Sequence, residues 1–279
     1  MTPTPSSIDL AFAGPTPHQR APEPSVSDAL TAALSRDTAP VPAALGDRLR
    51  QRVAAHRSAN ASMHTLQQPQ RGTAEPWAPG VHAWPLSPGR SWWVALDADA
   101  ALPPSAGPHE LLVLAGTLHL GQQSLPAQGH ALAGPQARWQ AGPQGAQLYL
   151  RQHVDGPFTA PGTAQLQAPD ANAWQPLRPG VSIRPLHGEG PAMSLLARFE
   201  PGACVPAHPH GIDEECLMVD GDLFLGDLLL RQGGFQAAPA GSTHGDLVAD
   251  GPCLLFFHGA IDAAAIDNAH RAAQGWPAL

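Results

Sequence analysis

His208, His210 and Glu214 fall within seven consecutive positions of the stretch AHPHGIDEECLMVDG, which runs from Ala207 to Gly221. Side chains alternate between the two faces of a strand, so the two histidines point the same way. Gly211 to Asp213 make a turn, and Glu214 can open the next strand with its carboxylate aimed back at the same point. A later turn, Pro239-Ala-Gly241-Ser-Thr, delivers His244. Three neutral imidazoles and one carboxylate form a nitrogen-rich donor set of mixed hardness. Such a set suits zinc, iron, nickel, copper or manganese, and suits calcium or magnesium poorly. The expected chemistry is therefore the binding of one divalent transition metal per chain by His208, His210, Glu214 and His244. Zinc or iron comes first, with manganese or nickel as alternatives. Each imidazole also needs an acceptor for its other ring nitrogen, and the sequence identifies none of these acceptors.

A closed small barrel is one of the few shapes that brings such residues together. Counting on in twos from Glu214, Cys216 and Met218 share the inner face, with Glu215, Leu217 and Val219 outside. Leu217 and Val219 are then free to cover another barrel or a second subunit, so a homodimer is open to this chain. Cys216 is expected to be a small buried side chain rather than a redox centre or extra ligand. Gly221, after Asp220, starts a tight hairpin. His187, His258, His18, His56 and His64 lie outside the register and read as ordinary polar histidines.

The chain repeats itself from Trp77. The Gly80-Val81 and Pro85-Leu86 pairs recur as Gly180-Val181 and Pro185-Leu186, 100 residues on. HELLVLAGTLHLG, from His109 to Gly121, lines up with EECLMVDGDLFLG, from Glu214 to Gly226, at an offset of 105. Two homologous domains with small loop changes explain the drift. Within each, apolar runs of four to eight residues alternate with Gly, Pro and Asp-Gly, which predicts an all-β sandwich or barrel. The first unit lacks the donor set. Ser105 and Gly107 take the places of the histidine pair, His109 replaces Glu214, and Trp139 replaces His244. Glu110 matches Glu215 on the outer face and is set aside as a ligand. One imidazole cannot hold a transition metal against water, so this barrel reads as degenerate and metal-free.

The 279 residues include 32 prolines and 28 glycines but few charges, a profile of turns and strands rather than of a helical bundle. A net charge of −8 argues against nucleic-acid binding, and no window approaches the length of a membrane span. With no signal-peptide pattern and three cysteines lacking CxxC spacing, the expected compartment is the cytoplasm. Residues 1–70 read as an extension, disordered up to Ser27 and then forming short helices. One helix starts at Ser27 with Leu30 and Leu34 on one side; another starts near Pro42 with Leu45, Leu49 and Val53. The degenerate domain is expected at 71–155 and the metal-binding one at 170–262, with a Pro/Gly/Ala linker or edge segment from Asp155 to Asn172. A short helical tail follows at 263–279.

The string Gly202-x5-His208-x-His210-x3-Glu214-x6-Gly221, followed by Gly233-x5-Pro239-x-Gly241-x2-His244, resembles the two motifs of the cupin superfamily. Val248 stands where asparagine often closes the second motif, a packing position. Within the cupins the chain resembles the ChrR-like group. The likeness is carried by the Trp-x-Pro…Pro-Gly-Val…Pro-Leu lead-in, by Pro-Gly202-Ala…Pro206-Ala-His-Pro-His, and by Glu214-Glu215 before Val-Asp-Gly221. The resemblance implies two tandem cupin barrels of the double-stranded β-helix, jelly-roll kind behind a partly disordered, partly helical extension. It also implies that His208, His210, Glu214 and His244 are the metal ligands. Such proteins include the cupin domains of zinc-dependent anti-sigma factors and small dioxygenases that cleave a carbon–carbon bond in diketones. The resemblance thus implies a regulatory or sensory protein of the anti-sigma-related type, with a sigma factor or other regulatory protein as partner. The alternative is a mononuclear non-haem dioxygenase acting on a small oxygenated substrate. No cysteine precedes Cys204, so the separate N-terminal zinc site of the anti-sigma proteins is absent.

Overall fold

Glycines and prolines cut the chain into short apolar runs, and these pair antiparallel into two barrels with matching strand orders. The computed structural model describes residues 43–59, 62–135, 137–152, 164–189 and 191–279. The disorder expected up to Ser27 and the helix expected from Ser27 lie outside these residues. The chain divides into two compact units, 1–51 and 52–279. Of the first, the described part is the start of the helix Ala43–Ala59, where Arg50 pairs with Asp47 at 2.6 Å. Leu49 and Val53 of this helix are exposed, so the expected apolar spacing does not mark a buried face there.

The second unit holds both barrels. The first is one eight-stranded sheet, ordered Glu75–Ala78, Val81–Ser87, Ser91–Leu96, Trp139–Gln152, His109–Leu120, His130–Ala133 and Gln165–Gln167, with Gln123–Pro126 paired to His109–Leu120. The larger sheet of the second barrel runs Gln175–Arg178, Val181–Glu189, Ala192–Phe199, Cys253–Gly259, Glu214–Asp220, Phe235–Ala238 and His64–Leu66. A four-stranded sheet, Cys204–Val205, Leu247–Val248, Asp222–Leu225 and Leu228–Arg231, and the pair His208–Pro209 with Thr243–His244 complete it.

The ends of the two large sheets are exchanged. His64–Leu66 leads into the first barrel yet pairs with Phe235–Ala238 of the second. Gln165–Gln167 leads into the second yet pairs with His130–Ala133 of the first. Each lead-in thereby covers a strand edge that would otherwise expose unpaired backbone groups.

Each barrel has its own core, and a third apolar cluster joins them. Leu86, Leu112 and Tyr149 of the first barrel pack with Leu186, Leu217 and Phe256 of the second. The outer face of the strand Glu214–Asp220 therefore meets the other barrel, one of the two coverings expected for Leu217. Cys216 and Met218 point into the second barrel, as the alternation predicts. The predicted tail helix is broken in two: Asp262 caps Ala263–Ala265, and Asp267 caps Asn268–Ala273. An aspartate whose carboxylate accepts the N–H two or three residues on starts a new turn rather than continuing the old one.

Candidate metal centre

The ligand residues sit at strand ends in the mouth of the second barrel. His208 lies directly across a two-residue ladder from His244. Glu214 opens the strand Glu214–Asp220, and a Cβ at Gly259 on the neighbouring strand would come within 3.2 Å of its Cγ, so the glycine makes room for it. All four side chains are buried, and one donor atom from each lies within 4.8 Å of the others. The structure thus brings together every residue singled out from the motif spacing.

The acceptors that the sequence left unidentified are now visible. His208 Nδ1 donates to the Pro206 carbonyl at 2.8 Å, and His244 Nδ1 donates to the Gly245 carbonyl at 2.7 Å. His210 Nδ1 meets Ser242 Oγ at 2.8 Å, and that hydroxyl donates onward to the Pro239 carbonyl at 2.6 Å. Carbonyls only accept, so Nδ1 carries the proton in His208 and His244; Ser242 imposes the same tautomer on His210. Each Nε2 is left with a lone pair directed to the shared centre.

The Nε2 atoms of His210 and His244 are buried without a hydrogen-bond partner. They lie 3.7 and 3.6 Å from the Glu214 oxygens, too far for a hydrogen bond. A buried polar atom left unpaired costs about 1–3 kcal/mol. Two such atoms converging on one carboxylate mark a place for a cation, and the donor set fits one. Burial disfavours the Glu214 charge, but the three imidazoles outweigh it and hold the carboxyl below its usual value. Burial, helped by the neighbouring imidazoles, lowers His210. In His244 burial is outweighed by Glu214 and the Gly245 carbonyl, and the value rises. Cys216 donates its thiol to Glu214 Oε1 at 3.5 Å, and burial together with that carboxylate pushes the thiol well above its usual value. Cys216 thus lines the site beside Glu214.

The first barrel closes the same place with side chains. His109 Nε2 accepts from the Trp139 indole N–H at 2.9 Å, and both residues are buried. Burial lowers His109, so the ring is neutral and its lone pair is taken. The histidine pair has a different counterpart from the one expected. Ala101 bridges Gln140 and Leu102 N donates to Trp139 O, which sets Leu102 beside Trp139 as His208 is set beside His244. Leu102 stands seven residues before His109, much as His208 stands six before Glu214, whereas Ser105 stands only four before it and is too close to take that place.

Two residues outside the cluster meet partners that the sequence did not reveal. His258 is buried, with Nδ1 2.8 Å from Ser194 Oγ and 3.9 Å from Glu110 Oε2. Glu110, set aside as an outer-face residue, is fully buried between the barrels, 2.7 Å from His130 Nε2. The signal was present in the repeat: both barrels keep an acid at this place, Glu110 and Glu215, just ahead of an apolar run.

The two barrels have the cupin fold, and the second carries a buried His/Glu cluster that suits a single metal ion. The C-terminal barrel is a ChrR-like cupin domain, for residues 163–262 match the model of the ChrR cupin-like domain. No curated protein matches the chain in sequence. Among solved structures, a Nostoc punctiforme protein provisionally described as a dioxygenase aligns with TM-score 0.54 and 14% identity, covering 74% of this chain and 85% of its own. Nickel-bound pirin YhhW of Escherichia coli aligns with TM-score 0.51 and 11% identity, over 72% and 100%. A mutant oxalate decarboxylase of Bacillus subtilis aligns with TM-score 0.51 and 14% identity, over 71% and 77%. At these identities the likeness is one of fold.

Proposed function

We propose that this bicupin binds one divalent transition metal in its C-terminal barrel, through His208, His210, Glu214 and His244, and serves as a sensory or regulatory protein. One observation carries the metal assignment. Three imidazoles with pinned Nδ1 atoms turn their Nε2 atoms toward one ionised carboxylate, and two of those atoms have no hydrogen-bond partner. A bound cation would supply positive charge and a Lewis-acid centre there. The chain's own residues fix the tautomers and hold the Glu214 carboxyl below its usual value. Zinc is the metal this reading favours, and structural zinc can contribute on the order of 10 kcal/mol to folding. The regulatory role is supported by the match to the ChrR cupin-like domain and by the first barrel, whose equivalent place is closed. Its partner would be a regulatory protein of the sigma-factor class.

A second reading, a mononuclear iron dioxygenase, is supported by the size of the donor set: four side chains gather at the site, and a five- or six-coordinate metal held by them would keep positions for O₂ and a small diketone. Purification without chelator, elemental analysis and oxygen uptake with a β-diketone separate the two. The expected result is one tightly held zinc per chain and no uptake. Iron with diketone-dependent uptake replaces the regulatory reading by the enzymatic one. A chain that takes up no transition metal ends both.

A further inference from the structure

Three consecutive acids head the ligand strand, and each enters a different set of contacts. Glu214 faces the imidazoles. Glu215, one residue on, points to the opposite face, where Tyr149 of the first barrel donates its hydroxyl to Oε2 at 2.6 Å. Arg151 Nε lies 3.9 Å from the other oxygen. Asp213, one residue back, pairs through Oδ2 with Arg90 of the first barrel at 2.5 Å. Its Oδ1 accepts from Ala240 N at 2.9 Å. Ala240 belongs to the turn that presents Ser242, the acceptor for His210, and then His244. The first barrel therefore grips the ligand strand on both sides of Glu214 and, through Asp213, reaches the turn that orients two more members of the site.

A carboxylate ligand is useful to a metal only if its backbone is held to a fraction of an ångström, and the groups that hold it act on affinity as ligands do. The second barrel pairs this backbone with Ala237 and Ala238 on one side and with His258 on the other, and the first barrel adds side-chain contacts to the residues flanking Glu214. Glu215 and Tyr149 are both buried, so without the tyrosine hydroxyl the Glu215 carboxylate loses a donor that water cannot readily replace. We propose that Arg90 and Tyr149, in the barrel that has no metal ligands, are positioning residues for the metal centre of the other barrel, fixing the chain around Glu214 so that its carboxylate meets the three imidazoles. This gives the degenerate barrel a task at the site, and it rests on the reading that the four residues bind a metal.

The test uses full-length protein stripped of metal and titrated with Co(II) against a chelator, with the visible Co(II) spectrum recorded. The variants are Arg90→Ala, Tyr149→Phe and the two combined. Tyr149→Phe keeps the ring that packs on Phe256 at a centroid distance of 4.5 Å. Each single change is expected to weaken Co(II) binding by about 10-fold and the pair by up to about 100-fold, with an altered spectrum. Arg90→Lys restores most of the loss. His109→Ala removes a side chain that meets Trp139 rather than the second barrel and should leave affinity and spectrum at wild-type values. A folded double variant with wild-type affinity and spectrum overturns the proposal and leaves the metal reading standing. Wild-type protein that binds no Co(II) overturns both. Should Tyr149→Phe not fold, Arg90→Ala decides alone, because its ion pair is half exposed and the fold does not depend on it.

Discussion

At the scale of single residues, a histidine becomes a ligand or a core residue according to what its second nitrogen meets. His208, His210 and His244 each spend Nδ1 on a backbone or hydroxyl oxygen and present Nε2 to the centre. His109 stands at the place of Glu214 in the other barrel, but its Nε2 is occupied by the Trp139 indole. His208→Ala or His244→Ala should therefore abolish stoichiometric metal, whereas His109→Ala should leave it intact, as read by elemental analysis of purified protein. Loss of metal in His109→Ala would mean that the first barrel's imidazole is a ligand after all.

At the scale of elements, the strand Glu214–Asp220 serves two faces at once, and a glycine at its end makes that possible. Its pairing with Cys253–Gly259 slips between Met218 and Asp220. Gly221 follows with φ +72°, and a Cβ there would lie 2.6 Å from the Pro252 carbonyl and 2.8 Å from Cys253 Cβ. Gly116 holds the same place in the first barrel with φ +74°. Gly221→Ala should cost about 1–3 kcal/mol through the left-handed backbone alone, with the close contacts adding to it. Urea unfolding measures this loss. The folded fraction should keep its metal, because Gly221 lies at the far end of the strand from Glu214. Unchanged stability would show that the turn relaxes to accept a side chain.

At the scale of the whole molecule, the two barrels are joined by reciprocal carboxylates as well as by apolar packing. Glu110 lies across its own sheet from Arg151, and Glu215 lies across its own from His258. Across the interface the partners exchange: Glu110 approaches His258 and Glu215 approaches Arg151. Burial alone would raise the Glu110 carboxyl, but His130, with His258 and Ser194, outweighs it and holds the group well below the usual carboxylate range. The unfolded chain therefore takes up this proton first. The contribution is full above the ordinary value of 4.5 and drains away as pH falls through the lower, folded-state value. Glu110→Ala, which leaves a buried partner behind, should cost about 3–5 kcal/mol at neutral pH. Stability curves of variant and wild type should then converge as the solution is acidified below pH 4.5. Curves that stay parallel would place the acid sensitivity elsewhere.

The clustering of His208, His210, Glu214 and His244, the two repeats and the all-β class were legible in the sequence because each is a local matter. Period-two alternation and turn glycines state which residues share a face and where a strand must end. What a face meets is a different question, and an apolar strand reads the same whether it covers solvent, a subunit or a second barrel. Glu110 and Glu215 looked like outer-face acids for that reason, and only the packing of one barrel on the other shows them buried. His64–Leu66 and Gln165–Gln167 carry three residues each, too few for any period, so their exchange between barrels was decided by the tertiary fold. The acceptors for the three imidazoles are backbone carbonyls and one turn serine, groups present everywhere in a chain. Their alignment with Nδ1 exists only once the strands are closed.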